Sequence, residues 1–255
     1  MQASALGLSI ALAATMGAQA QTSEMARIRL TKPFNARSDW RLVVTQGPAA
    51  VDYGDNPAPG ALHLCFEKGP DDACLADPAG MPGTPGDWDP HYLSVAEPVY
   101  PRGAAAPPLL LIVTASMHSG DGDQLVVTQL LKYDRARDTF ERVYAHSTGR
   151  NNNEQDRFIA AGPLRGDIVS VAPTEGAPYG YWVEVSSLTR AYGYKSVLKY
   201  RSATRYGDGN PLPVIDSEMP NMEQRLGLWR PGSPLPSPAV GCPKPRLVKS
   251  ELWCN

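Results

Sequence analysis

Residues 109–115 read LLLIVTA, a continuous apolar run with the length of one strand. Because it lacks apolar–polar alternation, the run predicts a strand that is buried on both faces. Residues 124–133 and 139–146 follow it, and both alternate on either side of DRARD at 134–138. Alternating segments around a short polar turn predict a β-hairpin beside the buried strand.

Further strands are predicted on both sides of this centre. Residues 181–188 and 194–201 form a second predicted hairpin, and residues 40–45 and 61–66 predict two earlier strands. Apart from the first twenty residues and a possible turn at 221–226, no window of eleven residues sustains helical spacing. The 23 Gly and 25 Pro fit many turns. We predict an all-β fold, β-propeller-like or a duplicated β-sandwich, with short strands and long Gly/Pro-rich loops.

The ends of the chain differ in composition from its middle. Residues 1–20 carry no charge, have an apolar centre too short to span a bilayer, and end in AQA, which predicts a signal peptide and a periplasmic or secreted protein. Residues 21–37 lack periodicity and are expected to form a flexible lead-in. A single β domain is predicted over 38–230. The Pro-rich residues 231–255 are expected to form an arm that a disulfide ties down.

The chain has four cysteines, an even number that predicts two disulfides in an exported protein. Three connectivities are possible. Proximity in sequence favours Cys65 with Cys74 and Cys242 with Cys254. Zinc is the competing interpretation, but no two cysteines have the C-x2-C spacing that is typical of zinc sites.

Charge and motifs exclude several classes of function. The chain has 24 Lys and Arg against 26 Asp and Glu, so its surface offers no general attraction to nucleic acid. It contains no G-x-S-x-G, H-E-x-x-H, Walker or G-x-G-x-x-G motif. Because convergent catalytic triads leave no local pattern, an enzyme stays possible, although the sequence favours a protein without catalytic activity.

Aromatic residues crowd the second predicted hairpin. Tyrosine and tryptophan suit surfaces that are both apolar and wet, such as sugar-binding clefts and protein interfaces. Ordinary cross-strand packing is the competing interpretation. The candidate binding residues are Tyr181, Trp182, Tyr194 and Tyr206.

Acidic residues cluster in two glycine-containing loops. The first is HSGDGD at 118–123, and the second lies within RSATRYGDGNPLPVIDSEMP at 201–220, which is predicted to be a tight loop followed by a short extended segment. No cofactor is expected unless the loops together hold calcium, since carboxylates around a glycine can turn onto one cation. The candidate calcium ligands are Asp121, Asp123, Asp208, Asn210 and Asp216.

Asp216 and Glu218 form a further candidate pair. Residues two apart on a strand share a face, and two neighbouring carboxyl groups can serve as acid and base. The pair would suit an alternative function, a hydrolase that acts on cell-wall glycan or another polysaccharide.

The hairpins and acidic glycine loops at 109–220 resemble those of exported bacterial β-propeller-like proteins, distantly including FG-GAP-type calcium-loop repeats. The region also resembles uncharacterised exported proteobacterial β-rich proteins, a resemblance that implies no activity. The full D-x-D-x-D-G pattern of the FG-GAP loop does not occur, because Gln124 and Leu125 follow Asp123. The leading expectation is a non-catalytic periplasmic binding or inhibitor-type protein with a Tyr-rich surface, whose partner is a protein or glycan of the cell envelope.

Overall fold

The computed structural model describes residues 22–69, 74–76, 89–120, 122–149, 153–174, 178, 180–203, 205, 211–235, 244–249 and 251–253. Strands dominate these residues, which confirms the all-β prediction. In the described part of the chain, three antiparallel sheets of four strands follow one another, and two small hairpins accompany them.

Sheet 1 holds the first strands of the chain in the order β1-β2-β5-β6, and the hairpin β3–β4 is inserted between its second and third strands. Its elements are β1 Ser23–Arg29, α1 Thr31–Phe34, β2 Arg41–Gln46, β3 Ala50–Val51, β4 Pro57–Ala58, β5 Leu62–Glu67 and β6 Leu75–Ala76.

Sheets 2 and 3 are meanders in which each strand pairs with the next along the chain. Sheet 2 contains β7 Pro90–Val99, β8 Leu109–Ser116, β9 Val126–Asp134 and β10 Thr139–Thr148. Sheet 3 contains β11 Gln155–Phe158, β12 Ile168–Pro173, β13 Tyr181–Leu188 and β14 Tyr194–Arg201. The chain then forms α2 Leu212–Arg225 and a last hairpin of β15 Arg246–Val248 and β16 Glu251–Trp253.

The sheets stack face to face, with sheet 2 in the middle. Leu110 and Ile112 of β8 share a core with sheet 1, whereas Leu109 and Leu111 of the same strand pack towards Ile168 of sheet 3. This confirms that β8 is buried on both faces. The outer face of sheet 3 is covered by apolar side chains of α2.

The two predicted hairpins are confirmed, since β9 pairs with β10 and β13 pairs with β14. The Cys65–Cys74 disulfide is also confirmed, and it joins β5 to the residue before β6. Cys242 and Cys254 lie outside the described residues. Within the described part of the chain, no helix has the length and apolar character needed to cross a membrane.

Two predicted irregular segments are regular elements. Residues 23–29 of the expected lead-in form β1, which pairs with β2 along its length. Residues 90–99 form β7, although residues 96–99 show little periodicity in the sequence.

The prediction of an extended segment before residue 220 is wrong, because Leu212–Arg225 is a helix of 14 residues. Pro213 lies in its first turn, where a missing N–H costs nothing. Ile215, Met219 and Met222 are buried along one face at helical spacing. Pro220 and two buried glutamates hide this period in the sequence.

Candidate functional site

A row of polar residues crosses sheet 3 on the face that points towards sheet 2. In the register of the sheet Asp156 lies opposite Ser170, Ser170 opposite Glu184, and Glu184 opposite Lys199. Residues directly opposite each other share one face of a sheet. Phe158 and Ile168 stand on the same face and pack against sheet 2. Sheets 2 and 3 therefore meet through apolar side chains at one end and face each other with polar side chains at the other.

The polar end forms an open cleft of about 490 Å³, within the range of small-molecule binding sites. We call it the Trp182 cleft. Trp182 lies two residues before Glu184 on β13, so the two side chains share a face, and the indole is 45% exposed. The cleft is lined by Leu125, His146, Ser147, Thr148, Glu154, Ser170, Val171, Ala172, Trp182, Glu184 and Lys199.

A histidine–aspartate pair joins the two sheets at this cleft. His146 of β10 places Nδ1 2.9 Å from Oδ2 of Asp156 on β11. The Asp156 side chain has no exposed area, whereas that of His146 is half exposed. The Tyr144 hydroxyl donates a 3.0 Å hydrogen bond to the same carboxylate. Because its partner binds Nδ1, the neutral imidazole carries its lone pair on Nε2.

Charges in the cleft change the pKa values of its groups. The hydrogen bond to Asp156 raises the pKa of His146 against the opposing effect of burial, and the charges of Asp156, Glu154 and Glu184 add to the rise. A hydrogen bond from Lys199, whose Nζ lies 2.9 Å from Oε2 of Glu184, lowers the pKa of that glutamate. The cleft thus combines an aromatic wall, a fixed ion pair and a histidine that titrates above its ordinary pKa.

The predicted aromatic binding residues have different surroundings. Tyr181 is fully buried in the core between sheet 3 and α2, so it cannot contact a ligand at the surface. Tyr194 is half-buried, packs on Tyr144 with ring centroids 5.5 Å apart, and donates its hydroxyl to the Gly166 carbonyl at 2.9 Å. Tyr206 lies outside the described residues. Among the described members of the set, Trp182 is the one that is exposed in a cleft.

The predicted calcium ligands are only partly described. Asp121, Asp208 and Asn210 lie outside the described residues. The carbonyl of Asp123 accepts a hydrogen bond from the Ser119 amide in the β8–β9 turn, and Asp216 pairs with Arg157 of β11 at 2.5 Å. In the described ranges, no three His, Cys, Asp or Glu side chains come together as a metal site would require.

The strand geometry assumed for Asp216 and Glu218 is wrong, because both lie on α2. Side chains two residues apart on a helix are rotated by about 200° around its axis, so those of Asp216 and Glu218 point in nearly opposite directions. Asp216 reaches Arg157, whereas Glu218 is buried and accepts hydrogen bonds from Tyr200 at 2.8 Å and Asn221 at 3.0 Å.

Sequence reasoning found Trp182 but missed the polar residues around it. The Glu184–Lys199 pair depends on a β-bulge between Val185 and Ser186, because the unbroken register of the hairpin would place Glu184 opposite Leu198. The His146–Asp156 contact joins β10 of sheet 2 to β11 of sheet 3, and no spacing rule indicates such a contact.

The chain matches no protein-family model, no curated protein and no solved structure.

Proposed function

We propose that this protein is a non-catalytic binding protein of the periplasm, and that the Trp182 cleft holds a glycan of the cell envelope. The observation that carries the proposal is the exposed indole of Trp182 in a cleft that also contains Glu184, Lys199 and His146. An indole offers a flat apolar face for the C–H side of a sugar ring. The charged groups around it can exchange hydrogen bonds with hydroxyls.

The polar row suits a neutral, hydroxyl-rich ligand. Glu184 and Lys199 already neutralise each other at 2.9 Å, so the pair has little net charge but keeps further lone pairs and N–H groups for a ligand. All four strands of sheet 3 contribute to the row, which gives it a rigid support.

We also propose a blade-type architecture for the domain. Three successive four-stranded antiparallel sheets that stack face to face support this assignment, because propeller blades are four-stranded sheets of this kind. As the described residues form them, none of these sheets closes on itself. In such a stack, a cleft between neighbouring sheets is a natural place for a ligand.

Binding to insoluble peptidoglycan and to a panel of soluble oligosaccharides tests the function. We expect Trp182→Ala to weaken binding about tenfold or more, because removing a central aromatic hot-spot contact costs about 2 kcal/mol or more and 1.4 kcal/mol corresponds to a factor of ten. Tyr53 is a matched control, since it is 68% exposed and lies outside the cleft. Tyr53→Ala should bind like the wild type.

Two results would contradict the proposal. One is the absence of glycan binding at millimolar ligand and high protein loading. The other is equal binding by the wild type and Trp182→Ala.

The His146–Asp156 pair favours a second candidate function, a hydrolase that removes ester substituents from glycans. A buried carboxylate that orients a half-exposed imidazole is the arrangement of a general base. His146 Nε2 would take a proton from water while the water oxygen bonds to the acyl carbon. The proton would then pass to the departing alcohol.

Hydrolysis of an acetyl ester tests this candidate. The base must be neutral, and the pKa of His146 is raised, so the rate should increase with pH through a value above about 6.5. His146→Gln should abolish the activity. His118→Gln, a change at an exposed histidine of the β8–β9 turn, should retain it. Equal rates for both variants would exclude His146 as the base.

A further inference from the structure

A second concave site lies at the other end of the domain from the polar row of sheet 3. It has a volume of about 540 Å³ and is formed by α1, the loop before β8, the β9–β10 turn and the β13–β14 turn. We call it the α1 groove. Its lining residues are Pro33, Phe34, Asn35, Ala105, Ala106, Pro107, Pro108, Lys132, Tyr133, Arg135, Arg190, Ala191 and Tyr192.

The walls of the α1 groove are fixed to one another. The Tyr192 hydroxyl donates to the Pro107 carbonyl at 3.3 Å, which joins the β13–β14 turn to the loop before β8. Arg102 strengthens the same joint, since it donates to the Thr189 carbonyl at 2.6 Å and stacks on the Tyr192 ring at 4.8 Å. On the other side, Arg135 donates to the Asn35 carbonyl at 2.8 Å. A site held in this way loses little conformational freedom when a ligand binds.

The lining of the α1 groove is mainly apolar, and its charged residues are all cationic. Prolines, alanines and the rings of Phe34, Tyr133 and Tyr192 supply most of its surface. Of the thirteen lining residues that the structure describes, three are cationic and none is acidic. Lys132 has a partner in Glu141 at 3.3 Å, so the charge offered to a ligand comes from Arg135 and Arg190, which are both exposed.

We propose that the α1 groove binds a small organic carboxylate with an apolar body. The volume fits a molecule of that size, the rings and prolines fit its hydrocarbon part, and guanidinium groups match the planar carboxylate. The site shares no lining residue with the Trp182 cleft and does not depend on the glycan proposal.

Calorimetric titration with 3-phenylpropionate tests the proposal, with 3-phenylpropionamide and acetate as comparison ligands. The amide lacks the charge and acetate lacks the apolar body, so each should bind about tenfold more weakly or worse. Arg135→Gln with Arg190→Gln should reduce phenylpropionate binding by a similar factor. Arg230→Gln, a change at an exposed arginine outside the groove, should not.

The proposal is wrong if 3-phenylpropionamide or acetate binds as tightly as 3-phenylpropionate. It is also wrong if the double variant binds 3-phenylpropionate as tightly as the wild type does. Since Arg135 also contacts Asn35, each variant is first checked by thermal unfolding. Arg190→Gln alone serves as the test if the double variant does not fold. Trp182→Ala should leave phenylpropionate binding unchanged, which separates this result from that of the glycan experiment.

Discussion

At the residue scale, the carboxylate of Asp138 joins sheet 2 to sheet 1. It lies at the end of the β9–β10 turn with a φ of 49°, and it accepts hydrogen bonds from Ser38 at 2.6 Å, Trp40 at 2.9 Å and Tyr133 at 2.5 Å. Lys68 pairs with it at 3.0 Å. Burial alone would raise the pKa of Asp138, but these four donors outweigh it and hold the pKa well below its usual range.

Asp138→Asn should destabilise the protein by about 2–3 kcal/mol. The amide loses the charge that supports four donors and turns N–H groups towards some of them. Asparagine tolerates the left-handed backbone as aspartate does, so the effect reports on the carboxylate. Urea unfolding at pH 7 measures it.

Glu24→Gln is the control for that measurement. Glu24 also accepts hydrogen bonds from an arginine, Arg27, but its side chain is 45% exposed, so solvent screens the pair and its loss should change the free energy of unfolding far less. Equal losses for the two variants would contradict the role assigned to Asp138.

At the element scale, α2 is unusual because it buries two glutamates. Glu218 has partners in Tyr200 and Asn221, but Oε2 of Glu223 has no hydrogen-bond partner among the described residues. The Glu223 side chain is 1% exposed, and burial raises its pKa from 4.5 to about 7. The outer layer of the domain therefore contains a carboxyl group that is costly to ionise.

Glu223→Gln should stabilise the protein in alkaline but not in acidic solution. Below pH 4.5 the carboxyl group is protonated in both the folded and the unfolded states. As pH rises towards 7 the unfolded state loses its proton first, so the wild type loses stability, and the loss is complete above pH 7. The glutamine side chain does not ionise. The free energy of unfolding of Glu223→Gln minus that of the wild type should therefore be about 2 kcal/mol larger at pH 8.5 than at pH 5, which means that the variant gains stability over the wild type.

Urea unfolding at the two pH values checks this expectation. Glu97→Gln, a change at an exposed position of β7, should alter the free energy of unfolding by less than about 0.5 kcal/mol at either pH. If Glu223→Gln destabilises the protein equally at pH 5 and pH 8.5, the carboxylate has a partner that offsets its burial.

At the scale of the whole molecule, the described residues form four layers, stacked in the order sheet 1, sheet 2, sheet 3 and α2. The two candidate sites arise from this stacking. The Trp182 cleft lies where the facing surfaces of sheets 2 and 3 become polar. The α1 groove lies where turns from both sheets meet α1. Neither site belongs to one sheet alone, so both depend on the layers keeping their positions.

The sequence by itself determined the strands whose periodicity is unbroken. Residues 109–115 and the two hairpins were predictable because apolar run length and alternation reflect burial on two faces or one. The Cys65–Cys74 disulfide was predictable because the two cysteines are close in sequence, and proximity favours this pairing among the three possible connectivities. Trp182 could be predicted as a candidate binding residue because it belongs to an aromatic cluster in the sequence.

The tertiary structure decided which side chains meet across layers. Tyr181 and Trp182 are adjacent in sequence, yet one is in the core and the other in the cleft, because neighbouring residues on a strand point to opposite faces and only packing shows which face is covered. Helix α2 was missed because its period includes prolines and buried glutamates that tertiary contacts accommodate. The contact between His146 and Asp156 exists only once sheets 2 and 3 face each other, since it depends on their distance and not on spacing along the chain.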